Sequence, residues 1–298
     1  MNLIGFDIGG TKCAVIYGKG DRDSTEIIDK VKVPTDHNIS PQEMTELLIN
    51  EAEKHHFPSP DRVGVSCGGP LSSKDGIIIR PPNLPRWINF NICEYLGKHY
   101  NVPVKLQNDA NACALAEWRL GSGKGSQNMI FLTFGTGMGA GLILDGKLYT
   151  GTNDFAGECG HLRLAGTGPV GFGKKGSFEG FCSGGGLAQL AQKYGFEGEF
   201  TAKAVAEAAY KGDKTAIKIY NKCGEMLGRG LSVLIDIINP EVIVIGSIYQ
   251  RSSSLLIPSM EKIIKKEAIP EALEVCKILP ATLGDNIGDY AALITACI

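Results

Sequence analysis

One short pattern occurs twice in this sequence: an apolar run, a glycine turn and a second apolar run. Residues 2–8 are largely apolar, Gly9-Gly10-Thr11 turns the chain, and Cys13-Ala14-Val15-Ile16-Tyr17 runs back. In the second half, 128–134 leads into Gly135-Thr136-Gly137-Met138-Gly139-Ala140-Gly141. Leu142-Ile143-Leu144 then returns to Asp145-Gly146, a strong hairpin signal. Two such hairpins predict two similarly built domains that face one another. Glycine supplies 39 of the 298 residues, nearly twice the usual share. The glycines cluster at 9–10, 68–69, 121–125, 135–141, 157–160, 166–176 and 184–186 without a fixed period. Backbone without a Cβ can approach a ligand closely. The clusters therefore predict one ligand set touched by several loops.

The remaining pattern alternates strands and helices. Strands are expected near 26–33, 62–66, 102–106, 241–246 and 276–279. Helices are expected near 41–54, 91–100, 108–120, 216–238, 253–267 and 288–297. The long helix stops at Asn239-Pro240, and 152–186 reads mostly as loop. Hairpins beside crossovers predict an α/β chain with mixed sheets. A formal charge of −2 offers no basic surplus for nucleic acid or an anionic membrane. No apolar run approaches the ~20 residues of a membrane span, and the first residues lack the basic and apolar regions of a signal peptide. The nine cysteines are scattered with no C-x-x-C pair, which reads as reduced core thiols in a cytoplasmic protein.

Four groups of residues carry chemistry. Asp7-Ile8-Gly9-Gly10-Thr11-Lys12 can aim backbone N–H groups, a hydroxyl and a lysine at phosphate oxygens. Asp7 can hold Mg²⁺, directly or through water. An ordinary glycine hairpin is the bland alternative. The second loop mimics a dinucleotide-binding fingerprint, which needs a helix after the glycines. A hairpin follows here, so the reading is a phosphate clamp. Residues 168–174 fit most of a Walker A loop by chance, since Lys175 stands where Ser or Thr belongs. Gln107-Asn108-Asp109-Ala110-Asn111 joins a strand to a helix. Asp109 can act there as a general base and Asn108 can bind hydroxyls, although Asn and Asp are also common helix caps. Gly157-Glu158-Cys159-Gly160-His161 and Glu179 suit polyhydroxyl recognition. They also read as solvated glutamates and a structural histidine.

Taken in order, these segments resemble the ROK family (repressor, open reading frame, kinase) of bacterial sugar kinases and regulators. Pro82-Asn83-Leu84-Pro85-Arg86-Trp87, Asn239-Pro240-Glu241 with the apolar run to Gly246, and Leu283-Gly284 before Gly288 extend the likeness over nearly the whole chain. The resemblance implies an actin/hexokinase-like (ribonuclease H-like) fold of two α/β domains with an interdomain cleft. The small domain is expected over 1–117, closed by the C-terminal helix at about 287–298, and the larger over 118–286. The family's catalytic base falls on Asp109. Its sugar contacts fall on Asn83, Asn108, Glu158, His161 and Glu179, with Gly68 and Gly69 beside them. Its phosphate loops fall on Gly9, Gly10, Thr11 and Lys12 and on Gly135, Thr136, Gly137 and Gly139, and its adenosine region on Gly246. The implied activity is ATP-dependent phosphorylation of a hexose with Mg²⁺, glucose at O6 first. N-acetylglucosamine, N-acetylmannosamine, fructose, allose and a β-glucoside are the other sugars considered. A homodimer is the family's usual form.

The chain departs from the family in two places. Relatives carry a three-cysteine zinc site, but Val170, Phe172 and Ser177 stand at those positions. No zinc is therefore expected, and packing of Val170 and Phe172 is expected to hold the loop. Gly246-Ser247-Ile248 replaces a run with further glycine. Two rivals to a kinase are a sugar-responsive transcription regulator and a sugar-binding protein without turnover. The first is disfavoured because the phosphate loop begins at residue 7, the second because Asp7, Asp109 and both glycine loops are present.

Overall fold

The computed structural model describes residues 1–298, which divide into two compact units. The first comprises 1–125, 148–156 and 283–298; the second comprises 126–147 and 157–282.

In the first unit β1 (Asn2–Ile8), β2 (Lys12–Gly20) and β3 (Thr25–Pro34) form an antiparallel meander. Helix α1 (Pro41–Lys54) follows, capped by Ser40 and Glu43 in a capping box. Strand β4 (Arg62–Cys67) then pairs in parallel with β1. Short strands β5 (Leu71–Ser72), β6 (Ile77–Ile78) and β7 (Phe90–Asn91) make a small separate sheet. Helix α2 (Ile92–Tyr100) leads to β8 (Val104–Asn108), and α3 (Asp109–Leu120) leaves it directly. The main sheet runs β3-β2-β1-β4-β8.

The alternation along β1 decides its two faces. Ile4, Phe6 and Ile8 enter a core with Met44, Leu48 and Ile49 of α1 and Ile92 and Leu96 of α2. Leu3 points the other way, toward Ala292, Leu293 and Ala296 near the chain's end. Gly5 of β1 and Gly64 of β4 lie side by side on that second face. A Cβ at Gly5 would come 2.8 Å from the Ala292 methyl, and one at Gly64 only 2.1 Å from the Ala292 carbonyl oxygen. Two glycines thus make the groove that lets the last helix lie directly on the sheet. Asp7 shares this parity.

The second unit opens with β9 (Met129–Leu132) and β10 (Ala140–Leu144), and β11 (Lys147–Tyr149) starts at its boundary and runs into the 148–156 segment. A small hairpin, β12 (Val170–Gly171) with β13 (Lys174–Lys175), precedes helices α4 (Phe178–Phe181), α5 (Gly184–Lys193), α6 (Ala202–Tyr210) and α7 (Lys214–Ile238). Strand β14 (Val242–Ile245), α8 (Ile248–Glu267), α9 (Pro270–Val275) and β15 (Lys277–Pro280) follow, and α10 (Ile287–Thr295) returns to the first unit. The sheet order is β11-β10-β9-β14-β15, with β14 parallel to both neighbours. Each unit therefore pairs an antiparallel hairpin with parallel strands, as the repeated pattern predicts.

The long helix expected at 216–238 is α7, capped by Asp213 and ended by Asn239 in the left-handed conformation. Helix α8 starts five residues before the expected 253. Ser252 leaves helical geometry, so the helical periodicity is broken there and the first turn is hidden. The stretch 152–186 is not all loop. It holds a 3₁₀ turn at Cys159–His161, the small hairpin and α4.

Candidate active site

In the first unit, the candidate residues gather at the carboxyl ends of three adjacent parallel strands. Ile8, Cys67 and Asn108 are in register across β1, β4 and β8, the edge at which open α/β sheets take ligands. The loops leaving this edge carry Gly9 to Lys12, Gly68-Gly69 and Asp109. The amides of Gly10 and Thr11 make no hydrogen bond to protein, and the turn beyond the last β1–β2 rung, Ile8 with Cys13, is held through its carbonyls. Thr35 Oγ1 donates to Gly9 O (2.6 Å) and Thr35 N to Thr11 O (3.0 Å). Asn83 packs on this loop, with its Cβ 2.6 Å from where a Gly10 Cβ would lie. Its turn is anchored by Leu84 and Trp87, 2% and 3% exposed, the latter edge-on to Phe90.

Asn108 serves as a cap and still keeps a free donor. Its Oδ1 accepts from Ala110 N (3.0 Å) and Asn111 N (3.3 Å), satisfying the start of α3. Its Nδ2 lies beside Gly69, 3.4 Å from a Cβ built there. Asp109 commits one oxygen, Oδ1, to Ala110 N (2.8 Å), while Oδ2 faces Gly68. The side chain reaches solvent yet is hemmed in by protein. That desolvation raises its carboxyl above the ordinary range, against the lowering by Ala110 N–H.

Asp7 is pushed up to about 7, first by burial and then by the charges of Asp109 and Asp289, with Lys32 opposing. Its Oδ2 is 3.0 Å from where a Gly288 Cβ would sit at the start of α10. A desolvated carboxylate among like charges is a setting that a hard cation relieves, but Asp289 is already paired with lysines and no three carboxylate, histidine or cysteine side chains gather to hold a metal. Sequence reading missed Asp289. It is 1% exposed and paired with Lys30 (2.6 Å) and Lys32 (3.6 Å) of β3. Partners so remote in sequence leave no local signal.

In the second unit the β9–β10 turn is pinned from several sides. Gly135 N donates to Gly137 O (3.1 Å), Gly139 N to Thr133 Oγ1 (2.9 Å), Gly184 N to Gly135 O (2.8 Å) and Met138 N to Glu179 Oε2 (3.0 Å). The amides of Thr136 and Gly137 at the tip of the turn make no hydrogen bond to protein. Gly246 and Ser247 lie beside this loop, with Ser247 Oγ 3.5 Å from a Gly135 Cβ position. Ser247 adopts φ +56° and accepts from Arg251 (3.1 Å). The serine thus occupies a conformation that suits glycine, the residue the resemblance leads one to expect in this stretch.

Glu158 precedes the 3₁₀ turn and His161 ends it, with His161 Nε2 3.9 Å from Glu158 Oε2. Phe172 stacks on the His161 ring at 4.0 Å between centroids and 22° between planes. The expectation that Val170 packs its side chain is corrected: Val170 is 41% exposed. Its backbone holds the loop instead, clamped by Gln189 at both N (2.8 Å) and O (2.9 Å). Buried Ser177 donates to Gly171 O and caps α4 at Gly180 N. The residues present do not fit the family's zinc: Val170 and Phe172 offer no donor atom, and Ser177 is already committed.

The sequence profile of the ROK family matches residues 3–296. A glucokinase of Halalkalibacterium halodurans is 31% identical, over 96% of this chain and 92% of that protein. The xylose repressor of Bacillus subtilis is 28% identical, over 95% of this chain and 73% of that protein. Among solved structures, a ROK glucokinase from Streptomyces griseus in complex with glucose and AMPPNP superposes with a TM-score of 0.81 at 27% identity. That match covers 99% of each chain. The chain belongs to the ROK family. Its fold is the actin/hexokinase-like α/β fold.

Proposed function

We propose that this ROK-family chain, an ATP-dependent sugar kinase, moves the γ-phosphoryl group of ATP to O6 of a hexose, with glucose the first substrate. Asp109 carries the reading. One oxygen is fixed by the helix backbone, the other faces Gly68, and its raised carboxyl is a better proton acceptor than a surface aspartate. Asp109 accepts the hydroxyl proton as the sugar oxygen bonds to the γ-phosphorus and the bond to ADP breaks. Asn83, Asn108, Glu158, His161 and Glu179 orient the sugar, with Gly68 and Gly69 leaving room beside it. Gly9 shapes the first turn, whose unpaired Gly10 and Thr11 amides, with Lys12, meet phosphate charge together with those of Thr136 and Gly137; Gly135 and Gly139 shape the second turn. Gly246 lies toward the adenosine. Bound Mg²⁺ supplies positive charge against the phosphates, and Asp7 would hold it.

The glucokinase relatives support glucose. A putative N-acetylmannosamine kinase from Listeria monocytogenes, 25% identical with a TM-score of 0.82, keeps the acetylated amino sugars as the second choice. A cytoplasmic homodimer is the form proposed, and no helix is long and apolar enough to cross a membrane. Asp109→Asn should keep sugar affinity, read by calorimetry, while kcat falls roughly 100- to 10,000-fold. Near-normal turnover in that variant would remove Asp109 as the base.

A further inference from the structure

Glu179 is expected from the resemblance to touch sugar, yet its carboxylate reaches the phosphate loop. Oε2 accepts from Met138 N at 3.0 Å and lies 2.7 Å from where a Gly137 Cβ would be. Oε1 makes no hydrogen bond to protein. The side chain is fixed at its root. Its Cβ is 2.9 Å from a Cβ built on Gly171 and 3.4 Å from one built on Gly160, within the 3₁₀ turn that carries His161. A Cβ on Gly160 would also meet Met138 O at 2.3 Å. The sugar-recognition turn, the phosphate loop and Glu179 are therefore one packed assembly with no slack for a methyl group.

We infer that Glu179 is a positioning residue for the nucleotide: it holds Met138 so that the Thr136 and Gly137 amides stay aimed at phosphate. Its free oxygen meanwhile faces sugar chemistry. The inference rests on the kinase reading and adds to it. The loop spends the Met138 N–H on Glu179 rather than on phosphate, so the carboxylate shapes the loop before any nucleotide arrives. A sugar hydroxyl donating to Oε1 acts on the same rigid carboxylate. Sugar and nucleotide binding are then linked through one side chain, and the linkage is reciprocal.

The test measures binding of AMPPNP with Mg²⁺ in the absence of sugar, by calorimetry on the full chain. Glu179→Ala should weaken AMPPNP roughly 5- to 10-fold, because the Met138 amide loses its acceptor. Glu179→Gln still offers an oxygen to Met138 N. It should restore nucleotide affinity to within about 2-fold of the wild type while the KM for glucose stays raised. A residue that binds sugar alone would leave AMPPNP affinity unchanged in both variants, and that result overturns the inference. Wild-type protein that fails to bind AMPPNP at all would overturn the kinase reading as well. Gly137→Ala supplies the reverse measurement and a check should Glu179→Ala not fold. Its methyl displaces the carboxylate, so glucose affinity measured without nucleotide should fall. Unchanged glucose affinity there also overturns the inference.

Discussion

The two glycine hairpins look alike in sequence and differ in how they are held. The first, between β1 and β2, is tied down through carbonyl oxygens by Thr35 and leaves the amides of Gly10 and Thr11 open. It carries a carboxylate, Asp7, on the strand that leads into it. The second, between β9 and β10, spends the amides of Gly135, Met138 and Gly139 on its own fold and keeps those of Thr136 and Gly137 open. Its carboxylate comes from elsewhere, as Glu179 of α4. One pattern therefore yields an open cradle with an electrostatic burden, and a preformed clamp with a brace. Glycine at a turn states that a ligand can come near. The hydrogen bonds around the turn decide which amides remain to receive it.

The largest expected effect separates the hairpins by charge. Asp7→Asn should lower kcat/KM roughly 100-fold or more and raise the Mg²⁺ concentration needed for half-maximal rate. A variant with a normal Mg²⁺ response would contradict the role of Asp7. Next comes pH. Asp109 works only as the carboxylate, and its carboxyl is raised. The acid limb of kcat should therefore lie above the ordinary carboxylate range near ~4; a rate flat down to that range would break the assignment.

The same physics predicts a stability effect confined to the first hairpin. Asp7 is raised from 3.8 to about 7 in the folded chain, so the folded state binds its proton more tightly than the unfolded state. That contribution is full below about 3.8 and is lost as pH rises through about 7. Without nucleotide, Asp7→Asn should thus melt higher than the wild type at pH 8, and the difference should close near pH 4. A melting temperature equal to wild type at pH 8 would show that Asp7 carries no such burden. The smallest effect belongs beside the second hairpin. Ser247→Gly relieves a left-handed residue and loses one hydrogen bond from Arg251, so stability should rise by about 1 kcal/mol or less. A fall on denaturant titration would mean that the Arg251 contact outweighs the strain.

Both hairpins, the long α7 and the fold class were legible because they rest on local periodicity and turn chemistry. Helix α5 was hidden because it begins on Gly184-Gly185-Gly186, a run that reads as loop; Ser183 capping Gly186 N was the one available signal. Helix α6, a short alanine-rich segment, also went unread. Asn108 shows why spacing alone could not choose between a cap and a ligand, since its oxygen caps α3 while its nitrogen stays free. The Asp289 pair with Lys30 joins residues 259 apart, and the hold of Glu179 on Met138 joins residues 41 apart. Contacts of that range exist only once the sheets have formed.

The central claim is sugar phosphorylation, and coupled ADP release over a panel of hexoses with ATP and Mg²⁺ tests it most directly. The account predicts ADP release that depends on sugar, is highest with glucose among the free hexoses, and is lost in Asp109→Asn. Sugar-independent ADP release, or binding of sugar with no ADP formed from any member of the panel, would contradict it.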